Sequence, residues 1–85
     1  MKSYELIPKD SHKSFYGKAR VIEGLDGTKF LQSYETIVAA ITPDGVFHRM
    51  WGGWSATTGR HVASFFPGMN KAQWDKLPVH DMFDL

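Results

Sequence analysis

Thr42-Pro43-Asp44-Gly45 joins two strand-like runs, Ile37–Ile41 (IVAAI) and Val46–Trp51 (VFHRMW). Proline presets φ at the first corner, aspartate bonds its own backbone, and glycine takes the left-handed position, so the chain reverses there. Strands joined by so short a reversal must run antiparallel. A second signal of this kind lies upstream, where Leu25-Asp26-Gly27-Thr28 separates Phe15–Gly24 from Lys29–Ser33. Asp-Gly in such a setting predicts a hairpin with φ > 0 at both turn residues.

The flanking runs have strand periodicity. Phe15, Gly17, Ala19 and Val21 alternate with Tyr16, Lys18 and Arg20, as in a half-buried strand. Lys18 and Arg20, with Lys29 near, would share an exposed face, where cations ordinarily protect a sheet from unwanted pairing. Tyr34–Thr36 breaks the alternation and predicts a bulge or bend. Ile37–Ile41 is continuously apolar and rich in β-branched residues, which fits a strand covered on both faces. Across Val46–Trp51, His48 and Met50 fall on one side and Val46, Phe47 and Trp51 largely on the other.

Gly52-Gly53 then turns the chain toward a helix. No Lys-Ser or Lys-Thr follows the glycine pair, so it is not a phosphate loop. Ser55 or Thr57 can cap the helix by accepting a bond from an orphan N–H. Thr58, Val62, Phe65 and Phe66 are spaced as one apolar stripe, with Thr57, Arg60, His61 and Ser64 on the adjoining polar face. Gly59 in the first turn costs up to about 1 kcal/mol relative to alanine, unless it permits close backbone approach. Pro67-Gly68 ends this helix. A second short one, Asn70–Leu77, starts at an asparagine cap, buries Trp74 and Leu77, and stops at Pro78.

Residues 1–14 (MKSYELIPKDSHKS) show neither period and contain Pro8, which predicts a mobile or loosely packed N-terminal arm. The expected fold is a single α+β domain over residues 15–85, an antiparallel sheet of three or four strands followed by one packed helix and a short second helix. At 85 residues the core is near the lower limit for independent folding, so a homo-oligomer is compatible with the chain. The 42% hydrophobic and 14% aromatic content nonetheless suffices for a globular domain. With no cysteine, disulfides, thiolate catalysis and cysteine zinc sites are excluded, as suits a reducing cytoplasm. The net charge of +1 creates no whole-protein field of the kind that dedicated phosphate binders carry. No apolar run approaches the roughly 18 residues of a membrane span. No signal-peptide block opens the chain. A cytoplasmic protein, without membrane contact, is the expectation.

Catalytic sets are weak. Ser55, His61 and an aspartate could form a nucleophile, base and orienter, but no nucleophile elbow is present and Ser55 explains itself as a cap. His48 and His61 with Asp44 or Asp81 lack the spacing of a metal motif. Glu23 and Glu35 are too isolated to argue for an acid–base pair. No enzyme activity, metal or cofactor is expected. Phe15, Tyr16, Phe47, Trp51 and Trp54 interleave with Lys18, Arg20, Arg49 and Arg60. Exposed on a sheet face, that mixture would stack bases and hold phosphates. In so small a domain aromatics more often form the core.

FYGKARVI, Leu31–Ile41 (LQSYETIVAAI) and Trp54–Phe66 (WSATTGRHVASFF) resemble a family of short uncharacterised proteins. That family occurs on phages, plasmids and integrative elements of Gram-positive bacteria. Its pattern runs F-Y-G-K-A, then S-Y-x-T-x-V-x-x-I, then S-x-T-T-x-R-H-[IV]-x-x-F. The resemblance covers about Ser14–Phe66 and makes Ser55, Thr57, Thr58, Arg60 and His61 signature positions. Gly59 departs from it, and the family carries no catalytic motif. The resemblance implies a mobile-element origin and no mechanism. With the small size, near-neutral charge and lack of a catalytic set, it leads to the expectation of a non-enzymatic accessory protein. Its expected role is to bind a host protein, for instance as an anti-CRISPR-like inhibitor of a defence nuclease. The expected contact face is Thr57, Arg60, His61 and Ser64 with Trp51 and Trp54. The alternative is a nucleic-acid-binding accessory protein using Lys18, Arg20, Arg49 and Arg60.

Overall fold

The computed structural model describes residues 2–8, 15 and 17–81. Five strands form one antiparallel sheet in sequential order: β1 (Lys2–Glu5), β2 (Ala19–Glu23), β3 (Lys29–Ser33), β4 (Thr36–Ile41) and β5 (Phe47–Arg49). Two helices follow, α1 (Ala56–Phe65) and α2 (Lys71–Lys76). The α+β class is as expected, but the sheet has five strands rather than three or four. The extra strand comes from the expected loose arm. Lys2–Glu5 pairs with β2 from Lys2↔Glu23 to Glu5↔Arg20, so backbone hydrogen bonds hold a segment with no buried side chain. Residues 1 and 9–14 of that arm lie outside the described residues, as does Tyr16.

The two aspartate–glycine turns share one construction. Gly27 N donates to Gly24 O, Gly24 N donates to Thr28 O, and Gly27 takes φ 91°. Gly45 N donates to Thr42 O, Thr42 N donates to Val46 O, and Gly45 takes φ 85°. Each is a three-residue loop whose last residue is left-handed. Asp26 does not adopt the positive φ expected of it. Instead its carboxylate accepts bonds from the Thr28 N–H and hydroxyl, each at 3.0 Å, which hold its pKa below the ordinary value.

At the opposite end of the sheet, Ser33↔Thr36 closes a two-residue turn in which Tyr34 takes φ 56°. The irregularity expected over Tyr34–Thr36 is therefore a tight turn. The bulge itself lies within β4, where Leu31 faces Ala39, Gln32 faces Ile37, and Val38 is the extra residue. Ile37–Ile41 is a strand as expected, with Val38, Ala39 and Ala40 buried.

Ala19, Val21, Leu31, Ser33, Ala39 and Arg49 line the sheet face toward the helices. Phe15, Ala19, Leu31, Val38, Ala39, Val62 and Trp74 make the core. Ser55 caps α1 by accepting from Thr58 N at 3.0 Å, and Asn70 caps α2 by accepting from Gln73 N at 2.9 Å. The buried side of α1 is Thr58, Gly59, His61 and Val62. Phe65 and Phe66, expected in the buried stripe, are half-buried at the helix end. After α2, Val79 bridges to Arg49 and His80 N donates to Arg49 O, covering the β5 edge. Among the described residues, no helix is long and apolar enough to cross a membrane.

Candidate functional site

The segment between β5 and α1 is organised by close ring-to-backbone contact. A Cβ built on Gly53 would lie 2.6 Å from the Trp51 ring, and one on Gly59 would lie 2.4 Å from the Trp54 ring. The Trp54 and Trp74 rings are 5.6 Å apart, and the Trp74 indole N–H donates to Gly53 O at 3.0 Å. Trp51 and Trp54, expected on the contact face, are half-buried in this packing. Close approach to Trp54 is thus the reason for glycine at position 59.

Arg49 binds the same region from below. Its guanidinium donates to the carbonyls of Trp51 (2.9 Å), Gly52 (2.9 Å), Trp74 (3.0 Å) and Leu77 (3.2 Å). It also stacks 5.0 Å from the Trp74 ring. Two of those carbonyls belong to the end of α2, where a cation complements the helix dipole. Arg49 is 9% exposed and four of its five N–H groups are engaged with backbone carbonyls. It is therefore held inside the fold rather than offered to the phosphates assigned to it in the nucleic-acid alternative.

His61 likewise leaves the expected surface face. It is 1% exposed, and its Nδ1 lies 2.8 Å from Ser33 Oγ, which lies 3.0 Å from Thr58 Oγ1. Either imidazole tautomer satisfies this chain of polar groups, because both hydroxyls can reverse their donor direction. The Phe15 ring meets His61 edge-on at 4.5 Å. Burial lowers the His61 pKa, and the positive charges of Arg60 and Lys18 lower it further. Ser33–His61 has hydrogen-bond geometry suited to a nucleophile and base, but both groups are buried and face Thr58. The arrangement ties β3 to α1. Ser55, proposed above as a paper nucleophile, is engaged as the α1 cap.

Above this buried pair is an exposed rim. Tyr34 is 50% exposed, its ring lies 6.0 Å from His61, and Lys18 Nζ lies 5.9 Å from the ring centroid. A cation at that range is attracted to the ring face. Successive α1 residues rotate by roughly 100°, so Thr57, Arg60 and Ser64 fall beside the His61 flank, while Gly59 and Trp54 occupy the other. Thr57 and Arg60 are exposed and Ser64 half-buried. The expected contact face is therefore divided, with Thr57, Arg60 and Ser64 on the His61 side of α1, which Tyr34 and Lys18 also adjoin, and Trp54 on the Gly59 side. Arg20 alternates to the open sheet face and donates to Ser3 Oγ at 3.0 Å. Tyr34 was absent from the expected site. Its signal was a bulky side chain at a turn position that favours glycine or asparagine.

Among the described residues, no group of three or more His, Asp or Glu side chains could hold a metal. Asp44, one proposed ligand, accepts bonds from the Thr42 hydroxyl and the Val46 N–H, which lower its pKa. His48 stands near His80, with rings 5.6 Å apart. His48 is on the open sheet face, whereas His61 lies among the residues of the helix-side face.

A model of a family of unknown function, DUF8033, matches residues 3–78, nearly the whole chain. The chain belongs to this family. The matched span runs from β1 through α2, so the edge strand, the Tyr34 turn and the tryptophan block are all within it. No curated protein and no solved structure matches the DUF8033 chain described here.

Proposed function

We propose that the protein is a non-enzymatic mobile-element accessory protein that acts by binding a host protein. Its contact surface is Tyr34 with Lys18, Thr57, Arg60 and Ser64. The observation that carries this reading is the half-exposed Tyr34, held at φ 56° beside Lys18. A left-handed conformation disfavours a bulky residue, so a tyrosine retained there is explained by what its side chain contacts. Tyrosine and arginine are the side chains that concentrate binding energy at protein interfaces. The flanking cations suit a partner presenting carboxylates. The resemblance to short phage and plasmid proteins supports an anti-defence role, with a defence nuclease as the host target. The nucleic-acid alternative is weaker, because Arg49 is engaged internally and Arg20 lies on the other sheet face.

The test is affinity capture from a Gram-positive host lysate with and without nuclease, using the native protein and a Tyr34→Asn/Arg60→Ala variant. The reading expects one stoichiometric host protein that survives nuclease and is lost with the folded variant. Capture of nuclease-sensitive material alone would transfer the assignment to nucleic acid.

A further inference from the structure

The two edges of the sheet are unlike. Val79 and His80 cover β5, whereas β1 has no strand on its outer side among the described residues. The alternation of the β1–β2 ladder fixes which backbone groups face outward. Leu6 N donates to Ala19 O, so Leu6, Tyr4 and Lys2 are the residues bonded to β2. The N–H and C=O groups of Ser3 and Glu5 therefore point away from the sheet. All four β1 residues are exposed, including Tyr4 at 41%.

We propose that β1 pairs antiparallel with β1 of a second copy, across a two-fold axis at Tyr4, joining two five-stranded sheets into one. Only outward-facing residues can exchange backbone bonds across such an edge, so the register is restricted. Centring the axis on Glu5 would oppose two carboxylates. Centring it on Ser3 would leave Glu5 beyond the β1–β1 overlap. Centring it on Tyr4 pairs Ser3 with the second copy's Glu5, so that both outward-facing residues exchange bonds and Lys2 alone lies beyond the β1–β1 overlap. Charge complementarity favours the same register. Arg20 already reaches Ser3 Oγ at 3.0 Å rather than its cross-strand neighbour Glu5. It therefore stands beside the position of the second copy's Glu5, whose Oε1 accepts from its own Gly17 N–H at 2.7 Å and whose Oε2 is left to meet the guanidinium. On the other face, Tyr4 and Leu6 wall an open groove of about 360 Å³ with Val21, Ile41 and Phe65. The second copy's Tyr4 would extend that wall. A two-fold contact of this kind is self-complementary and closes after two subunits.

The test combines sedimentation with single introduced cysteines, which the cysteine-free chain permits. The native protein should form a concentration-dependent dimer. Ser3→Pro removes an outward N–H without removing a bond to β2, and should be monomeric with unchanged circular dichroism. Ser3→Ala should remain dimeric. Tyr4→Cys should form a disulfide dimer at least about tenfold faster than Ser3→Cys. In the proposed register the Tyr4 Cα atoms are about 4.5 Å apart, while the Ser3 pair exceeds the roughly 7 Å that a disulfide spans. A native protein that stays monomeric to about 1 mM, a folded Ser3→Pro dimer, or equal crosslinking at both positions would overturn the proposal.

Discussion

Gly59 lies directly under the Trp54 indole, so that a Cβ at position 59 would sit 2.4 Å from the ring. In an exposed helix, replacing glycine by alanine gains about 1 kcal/mol. Here the indole must move, and it is held in turn against Trp74. Gly59→Ala is therefore expected to destabilise by about 1–3 kcal/mol. In a Trp54→Ala background the same substitution should become neutral or stabilising. Urea unfolding of the four proteins in this cycle measures the change of sign.

Arg49 donates to the carbonyls of both the Trp51–Gly52 segment and the end of α2. Arg49→Met keeps much of the volume but leaves these acceptors without their charged donor. The expected loss is about 3 kcal/mol. Arg49→Lys should recover only part of it, because an ammonium lacks the planar fork that spans several carbonyls. Denaturant midpoints for the two variants test this ordering.

His61 gives the stability a pH dependence of definite sign. Its folded pKa is lowered by burial, then by Arg60 and Lys18, so the unfolded chain binds its proton more readily. Stability from this group is fully present above about pH 6.5, the unfolded value. It is lost as pH falls from there toward the lower folded pKa. Thermal midpoints between pH 8 and pH 5 (about 1.5 units either side of that value) should fall on the acidic side. The slope should be shallower in His61→Gln.

Much of the fold was legible in local chemistry. Asp-Gly after a strand-like run marked both hairpins, and Ser55 and Asn70 act as helix caps because their side-chain oxygens reach orphan N–H groups. What was not legible depended on distant partners. Lys2–Glu5 carries no buried side chain, so periodicity could not reveal a strand held by its backbone. The site was only half readable for the same reason. His61 occupies a polar helix position in the sequence, yet Ser33, 28 residues away, makes it a satisfied interior group. Arg49 looked like a free cation until the end of α2 supplied its acceptors. Tyr34 was legible as part of an irregularity but not as a site residue, because its backbone conformation is set by the Ser33↔Thr36 pairing.

The most direct measurement of the central claim is a paired readout on Tyr34→Asn. Asparagine tolerates left-handed φ better than tyrosine, so the account predicts unchanged or higher stability, by up to about 1 kcal/mol. It also predicts at least a roughly tenfold loss of partner capture, about 1.4 kcal/mol of binding. A less stable variant, or a folded variant that captures the partner as well as the native protein, would contradict the account and make Tyr34 a structural residue.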